Sequence, residues 1–317
     1  MKKTLLVTLL LFVTHNLFAQ ESHFREYVGA SGTIDWTKAS VEAIGYGISP
    51  AGKNPKVMPL LACRAAIVDA QRNLLESFQG VRVTSTTLVS NYALTSDIVK
   101  SSVEGTVQGA IIKSRINRAD GSCKVVLQAP LKGKVSKSIY KNLNQKNLST
   151  FNFKSIFSHI IGTAYASDIA ASSLEDKLTI LTKRVSEIET ILDMKLAKEV
   201  ISTDNAITGI VIDVRGSQFI PSLDPKIRKN TGDILYPDEK STMEIIDSGQ
   251  LVSLFATDVL FAMEHPIVGD TPLLIKANKT WKNNNTEITI NEKDAKKLLY
   301  LSQNNTLKNT GVIIVLD

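Results

Sequence analysis

The chain has 317 residues, with 43% hydrophobic and 21% charged side chains, and it carries a formal net charge of +6. That length is enough for two ordinary domains with real cores, and a mean hydropathy of +0.02 excludes a multi-span membrane protein. The basic excess, with a pI near 9.1, suits contact with anionic lipid or glycan surfaces but is too diffuse to argue for nucleic acid.

The first residues read as a targeting segment. Lys2 and Lys3 form a positive region, Leu5 to Val13 an apolar core, and Leu17-Phe18-Ala19 a cleavage site. An apolar core this short cannot cross a bilayer, which needs about 20 residues. Gln20 stands where a lipoprotein would need a Cys, so cleavage near Ala19 is expected to release a soluble chain without a lipid anchor. Removing residues 1–19, which hold two lysines and no acid, leaves 35 basic and 31 acidic residues, a formal charge of +4.

Residues 20–32 look irregular. Thr33 to Gly47 reads as a strand whose alternation slips near Ala39, which suggests a bulge. Gly45, Gly47 and Gly52 have the wrong spacing for a phosphate-binding loop, and Pro50, Asn54 and Pro55 intervene before any helix, so turn chemistry is expected there. Pro59 to Gly80 is the helix around which the first domain is organised. Leu60, Cys63, Ile67, Ala70, Leu74 and Phe78 form one apolar stripe, while Arg64, Asp69, Arg72 and Glu76 take the solvated side. Pro59 suits a helix start and Gly80 a left-handed helix end.

Val81 to Val89 is β-branched and alternating, hence a strand. Thr95 or Ser96 can cap a second helix in which Val99, Val103 and Val107 share a face up to Gly109. Ile111–Asn117 and Ser122–Ala129 form a hairpin across Asp120-Gly121. The order strand, helix, strand, helix, hairpin defines a small α+β domain over residues 28–132. Its two cysteines, Cys63 on the helix stripe and Cys123 on the strand face with Val125 and Leu127, are either a disulfide or two independent core residues.

As a set, the helix Ala65–Val83, the VEGTVQGA of Val103–Ala110 and the hairpin Asp120–Leu131 resemble a known domain. It is shared by the antigenic surface lipoproteins of Helicobacter type and the N-terminal part of flagellar assembly protein T. The resemblance covers about a third of the chain, and this sequence departs from the lipoprotein members in lacking the lipidated Cys. It implies a non-enzymatic envelope protein, associated in some members with the flagellar basal body at the outer membrane.

Lys132, Lys134, Lys137, Lys141, Lys146 and Lys154 follow with no acid between them, and residues 133–172 read as a linker. Phe153, Ile156, Phe157, Ile160, Ile161 and Ala164 fall at helical spacing, giving either a segment in peripheral membrane contact or a helix packed on a neighbouring domain. Within a long helix over 173–200, Leu174, Leu178, Leu181, Val185, Ile188 and Leu192 alternate spacings of four and three. That is the seam of a coiled coil and a candidate surface for homo-oligomers, although Ile180 and Ile191 widen the stripe as packing on the same chain would.

Residues 201–317 form a C-terminal, strand-rich α+β domain. Ile207–Val214 is a strand, and Pro221, Pro225 and Gly232 mark an irregular stretch ending near Tyr236. Leu251–Met263 and Leu273–Ala277 are apolar, and Asn291 with Asp294 can cap a helix through Leu301. Val312–Leu316 reads as a strand buried on both faces. Thr208 to Tyr236 resembles the C-terminal part of larger exported proteins that carry the same N-terminal domain.

Little in the chain resembles a catalytic site. His15, His23, His159 and His265 have no partner at metal-ligand or catalytic spacing, and GxSxG, SxxK and P-loop patterns are absent, so no metal, cofactor or enzymatic activity is expected. The best polar cluster is Asp213, Arg215, Asp224 and Lys226, either a strand-end charge pair beside a turn, or a small carboxylate-based hydrolase site or glycan-contact patch. Trp36 and Trp281, the latter in an apparent loop tip, are the candidate sugar-stacking aromatics. The expectation is an exported structural or assembly protein whose partners are envelope or flagellar proteins. A glycan- or peptidoglycan-binding protein is the alternative, and a hydrolase the third choice.

Overall fold

A computed structural model describes residues 23–150, Val185, and residues 207–237, 254–277, 279–303 and 311–317. The fold is α+β. The N-terminal unit is an antiparallel sheet of five strands in the order β1-β2-β3-β5-β4, comprising β1 Arg25–Val28, β2 Gly32–Asp35, β3 Ser40–Gly47, β4 Ile111–Asn117 and β5 Cys123–Pro130. The single strand expected from Thr33 is therefore a hairpin. Ala39, where the alternation slips, takes a left-handed φ of 47° in its turn, and Asp35 Oδ1 accepts the Lys38 N–H at 2.7 Å.

Helix α1, Met58–Gln79, lies across β3 and β5 and buries Cys63, Ala70, Leu74 and Phe78 as its stripe predicts. Ala62 and Ala66 replace Leu60 and Ile67 at the contact. The cause is the close approach of helix and sheet. A Cβ on Gly45 would stand 2.2 Å from Ala70 N, and one on Gly47 2.2 Å from Ala62 O. These glycines belong to a strand rather than a turn, and they make room for the helix backbone. Gly80 ends α1 with a φ of −80°, not the left-handed value expected of it. The Cys63 and Cys123 sulfurs are joined, tying α1 to β5 with a Cα separation of 4.9 Å.

Val81–Val89 is not a strand of this sheet. Val81 and Val83 are buried, but the segment curls back on itself through a lone bridge between Arg82 and Leu88 and runs into α2, Val89–Thr95. Ser96 caps α3, Asp97–Gln108, which buries Val99, Val103 and Val107 and stops at Gly109. The linker expected over 133–172 is helical at its start: α4, Lys134–Thr150, buries Val135, Ile139 and Tyr140. Its lysines at 134 and 141 lie on the exposed side. The other seam and amphipathic residues expected between 153 and 192 lie outside the described residues; Val185 is helical and exposed.

The C-terminal unit contains two sheets. One is wholly parallel, in the order β10-β6-β13-β9, built from β6 Gly209–Asp213, β9 Leu254–Ala256, β10 Pro272–Lys276 and β13 Gly311–Val315. Every residue of β6 and β13 is buried, as expected of strands covered on both faces. The second sheet runs β11-β12-β7-β8, with β7 Lys226–Lys229, β8 Ile234–Tyr236, β11 Lys279–Trp281 and β12 Asn284–Ile290. Helix α5, Val259–Glu264, follows β9. Helix α6, Glu292–Gln303, begins at Asn291, whose side-chain oxygen accepts the Asp294 N–H at 2.9 Å and whose side-chain amide donates to the Asp294 carboxylate at 2.7 Å.

The two units share one hydrophobic core. Trp36 meets Phe255 edge-on at 5.6 Å, and the Leu223 and Asp224 N–H groups donate to the Arg82 and Val83 carbonyls.

Candidate functional site at the carboxyl edge of the parallel sheet

Side-by-side parallel strands bring their carboxyl ends to one edge, where α/β proteins commonly bind ligands. Here β6 ends at Asp213, β10 at Lys276, and the chain beyond β13 at Asp317. The chain leaves β6 through a turn held by the Val214 N–H on Val315 O and by Gly216, whose φ of 76° suits glycine. The Gly216 N–H donates to both carboxylate oxygens of Asp317, at 3.0 and 2.9 Å. Together Asp213, Arg215, Gly216, Lys276, Ala277 and Asp317 line an open depression of about 550 Å³.

Asp213 is nearly buried and takes a two-pronged bond from Arg215, Nε to Oδ1 at 2.8 Å and Nη2 to Oδ2 at 2.9 Å. These bonds hold its carboxyl below the usual carboxylate range against the opposing effect of burial, while the same pairing raises the Arg215 guanidinium. Both carboxylate oxygens of Asp213 are thus engaged by Arg215. Asp213 holds the Arg215 fork in place rather than standing ready to take a proton.

Asp224, the second carboxylate of the expected cluster, does not line this depression. It sits where the two units meet, its N–H on Val83 O, with Lys226 Nζ 3.4 Å from its carboxylate. Burial pushes its carboxyl up, and Lys226 only partly offsets that. The four residues expected together therefore form two separate pairs, and a mechanism that needs both carboxylates at one bond has no shared site.

The two tryptophans also part company. Trp36 is 3% exposed and its indole N–H donates to Glu26 at 3.0 Å, so it is a core residue and unavailable to sugars. Trp281 is half-buried at the end of β11, above Gly232, with the Arg228 guanidinium 5.7 Å and the Lys282 ammonium 4.9 Å from its ring. His265 caps a single turn by accepting the Ile267 N–H, and His23 lies 3.4 Å from Asp35. Among the described residues no three His, Cys, Asp or Glu side chains come together as a metal-holding group. No helix among them is long and apolar enough to cross a membrane.

Lys276 and Asp317 were missed as site residues by sequence reasoning. Only the parallel pairing of β10 and β13 on either side of β6 brings them to Asp213, and no local spacing announces it.

Fold and edge together define an α+β protein with an antiparallel unit and a parallel-sheet unit sharing a core. Residues 209–317, from the first residue of β6 onward, match the family described as the second domain of Treponema pallidum Tp0624, a bacterial protein family. The match covers about a third of the chain and does not reach residues 28–132, where the surface-lipoprotein resemblance lies. No curated protein matches the chain.

Proposed function

We propose that the chain is an exported, non-enzymatic structural or assembly protein of the bacterial cell envelope, acting through protein–protein contacts at the outer membrane or the flagellar basal body. The observation that carries it is the Cys63–Cys123 bridge, which fastens the organising helix to its sheet. Such a bond persists in an oxidising compartment, which agrees with the targeting segment of residues 1–19. The resemblance of residues 28–132 to surface lipoproteins and flagellar assembly protein T supplies the envelope and flagellar part.

The direct test is crosslinking in the native envelope followed by mass spectrometry of the partners, with a motility assay on a deletion strain. Recovery in the cytoplasmic fraction with both thiols reduced would overturn the proposal. Self-association through Leu174, Leu178, Leu181, Val185, Ile188 and Leu192 is part of it, and sedimentation beside the pair Leu181→Asp and Ile188→Asp tests that part. A glycan-binding protein is the second reading. Trp281, with its flanking cations, is the residue that favours it, and a peptidoglycan pull-down decides.

A further inference from the structure

One end of the N-terminal unit combines exposed apolar side chains with cations. Tyr46 of β3 stands opposite Lys124 of β5, which stands opposite Ile116 of β4, in one row across the sheet. The row lies on the face away from α1, because the alternate residues Gly45, Gly47 and Cys123 face that helix. Tyr46 is 48% exposed, Ile116 51%, and Ile48, two residues beyond Tyr46, 75%. The Arg118 guanidinium lies 5.3 Å and the Lys124 ammonium 5.9 Å from the Tyr46 ring centre, so cations frame the aromatic.

The loop after Ile48 continues the same character. It carries exposed Lys53 and Lys56 and leads to exposed Val57 at the start of α1. There is no acid from Ala43 to Val68. Carboxylates beside it are engaged: Asp69 accepts the Tyr46 N–H at 2.9 Å, Asp120 accepts the Ser122 N–H and hydroxyl at 2.9 and 2.6 Å, and Glu42 of β3 pairs with Lys113.

We propose that this end of the molecule docks on an anionic lipid bilayer, an inference that rests on the export proposed above. Tyr and Ile side chains of this kind settle at the boundary between headgroups and acyl chains, and lysine and arginine beside them meet the phosphates. A second copy of the chain fits the surface poorly, since a two-fold contact would set Lys53, Lys56, Arg118 and Lys124 against themselves. An acidic protein would satisfy the cations but leaves Ile48 and Ile116 without a role.

The test uses the oxidised chain without residues 1–19, sedimented with vesicles of phosphatidylcholine alone or mixed with phosphatidylglycerol. Binding is expected to the mixed vesicles only, and it should fall away at high salt. The pair Lys53→Glu and Lys56→Glu should weaken it by at least about twentyfold, from roughly fivefold for each cation lost. The pair Tyr46→Ser and Ile48→Ser should weaken it at low salt with the unfolding midpoint unchanged, because both side chains are exposed. Failure of the parent chain to bind, equal binding to both vesicle types, or variants that bind like the parent would each overturn the proposal. Crosslinking of Lys53 or Lys56 to an acidic envelope protein, without vesicle binding, would overturn the lipid partner while leaving the envelope reading intact. Absence from envelope fractions would sink the envelope reading separately.

Discussion

Asp213 and Asp224 are shifted in opposite directions, and the signs give opposite predictions. The native carboxyl of Asp213 is lowered, mainly by the Arg215 hydrogen bonds, so it adds stability above the ordinary pKa of 3.8 and loses it as pH falls through the native value. Asp213→Asn should therefore destabilise at pH 7, by no more than about 1 kcal/mol because Arg215 is largely solvated. Asp224 is raised, mainly by burial, so ionisation favours the unfolded chain; its cost appears as pH rises above 3.8. Asp224→Asn should raise the urea midpoint at pH 7 and lose that gain by about pH 3. A lowered midpoint at pH 7 would mean that the Lys226 pair outweighs burial. At the same scale, Cys63→Ala with Cys123→Ala should cost about 4 kcal/mol, from opening a loop with a sequence separation of 60. Urea titration of oxidised and substituted protein measures it. The pairing was legible to the extent that both cysteines fall on faces that meet, but spacing alone could not choose between a bridge and a pair of core thiols. Trp36 was illegible because its burial depends on Phe255, which is distant in sequence.

At the scale of elements, periodic segments were legible and backbone proximity was not. The stripe of α1, the Val99-Val103-Val107 face, the Asp120-Gly121 hairpin and the buried β13 follow from spacing and turn chemistry. Gly45 and Gly47 were obscure because a glycine signals a turn, a flexible point or a close approach equally well. Gly45→Val tests the close approach: the added atoms would meet the Ala70 backbone rather than a movable side chain, so about 3 kcal/mol of stability should be lost. Ile48→Ser, three residues on but exposed, should change the midpoint little in the same titration. The Val81–Val89 segment alternates like a strand because Val81 and Val83 are buried, but it bends back so that Arg82 bridges Leu88. It gives the Arg82 and Val83 carbonyls to Leu223 and Asp224 rather than to a neighbouring strand. Helix α4 was hidden by its lysines and asparagines, which obscured the Val135-Ile139-Leu143 spacing beneath them.

At the scale of the whole molecule, the junction ties the units into one cooperative body. Glu26 accepts from the Trp36 indole and from Arg82 Nη2 at 2.8 Å, while Arg82 Nη1 donates to Pro221 O at 2.8 Å. One guanidinium thus joins β1 of the first unit to the approach to β7 of the second. The Tyr140 hydroxyl on Leu223 O adds a link from α4. A domain held by such buried contacts cannot open its partner face without exposing Trp36, Phe219 and Phe255 to water, at about 25 cal/mol for each Å² of apolar surface. The chain has two tryptophans, one in each unit, which makes the consequence measurable. In Trp281→Phe only Trp36 reports, and in Trp36→Phe only Trp281. Within each variant, tryptophan fluorescence and far-ultraviolet circular dichroism should trace one superimposable urea transition. Arg82→Ala removes the charge-assisted bonds at the junction and should lower both transitions together by about 2 kcal/mol. If fluorescence and dichroism separate in the parent single-tryptophan proteins, the two units unfold independently and the shared core does not couple them. If they separate only after Arg82→Ala, the coupling runs through that one side chain rather than through the apolar contact of Trp36 with Phe255.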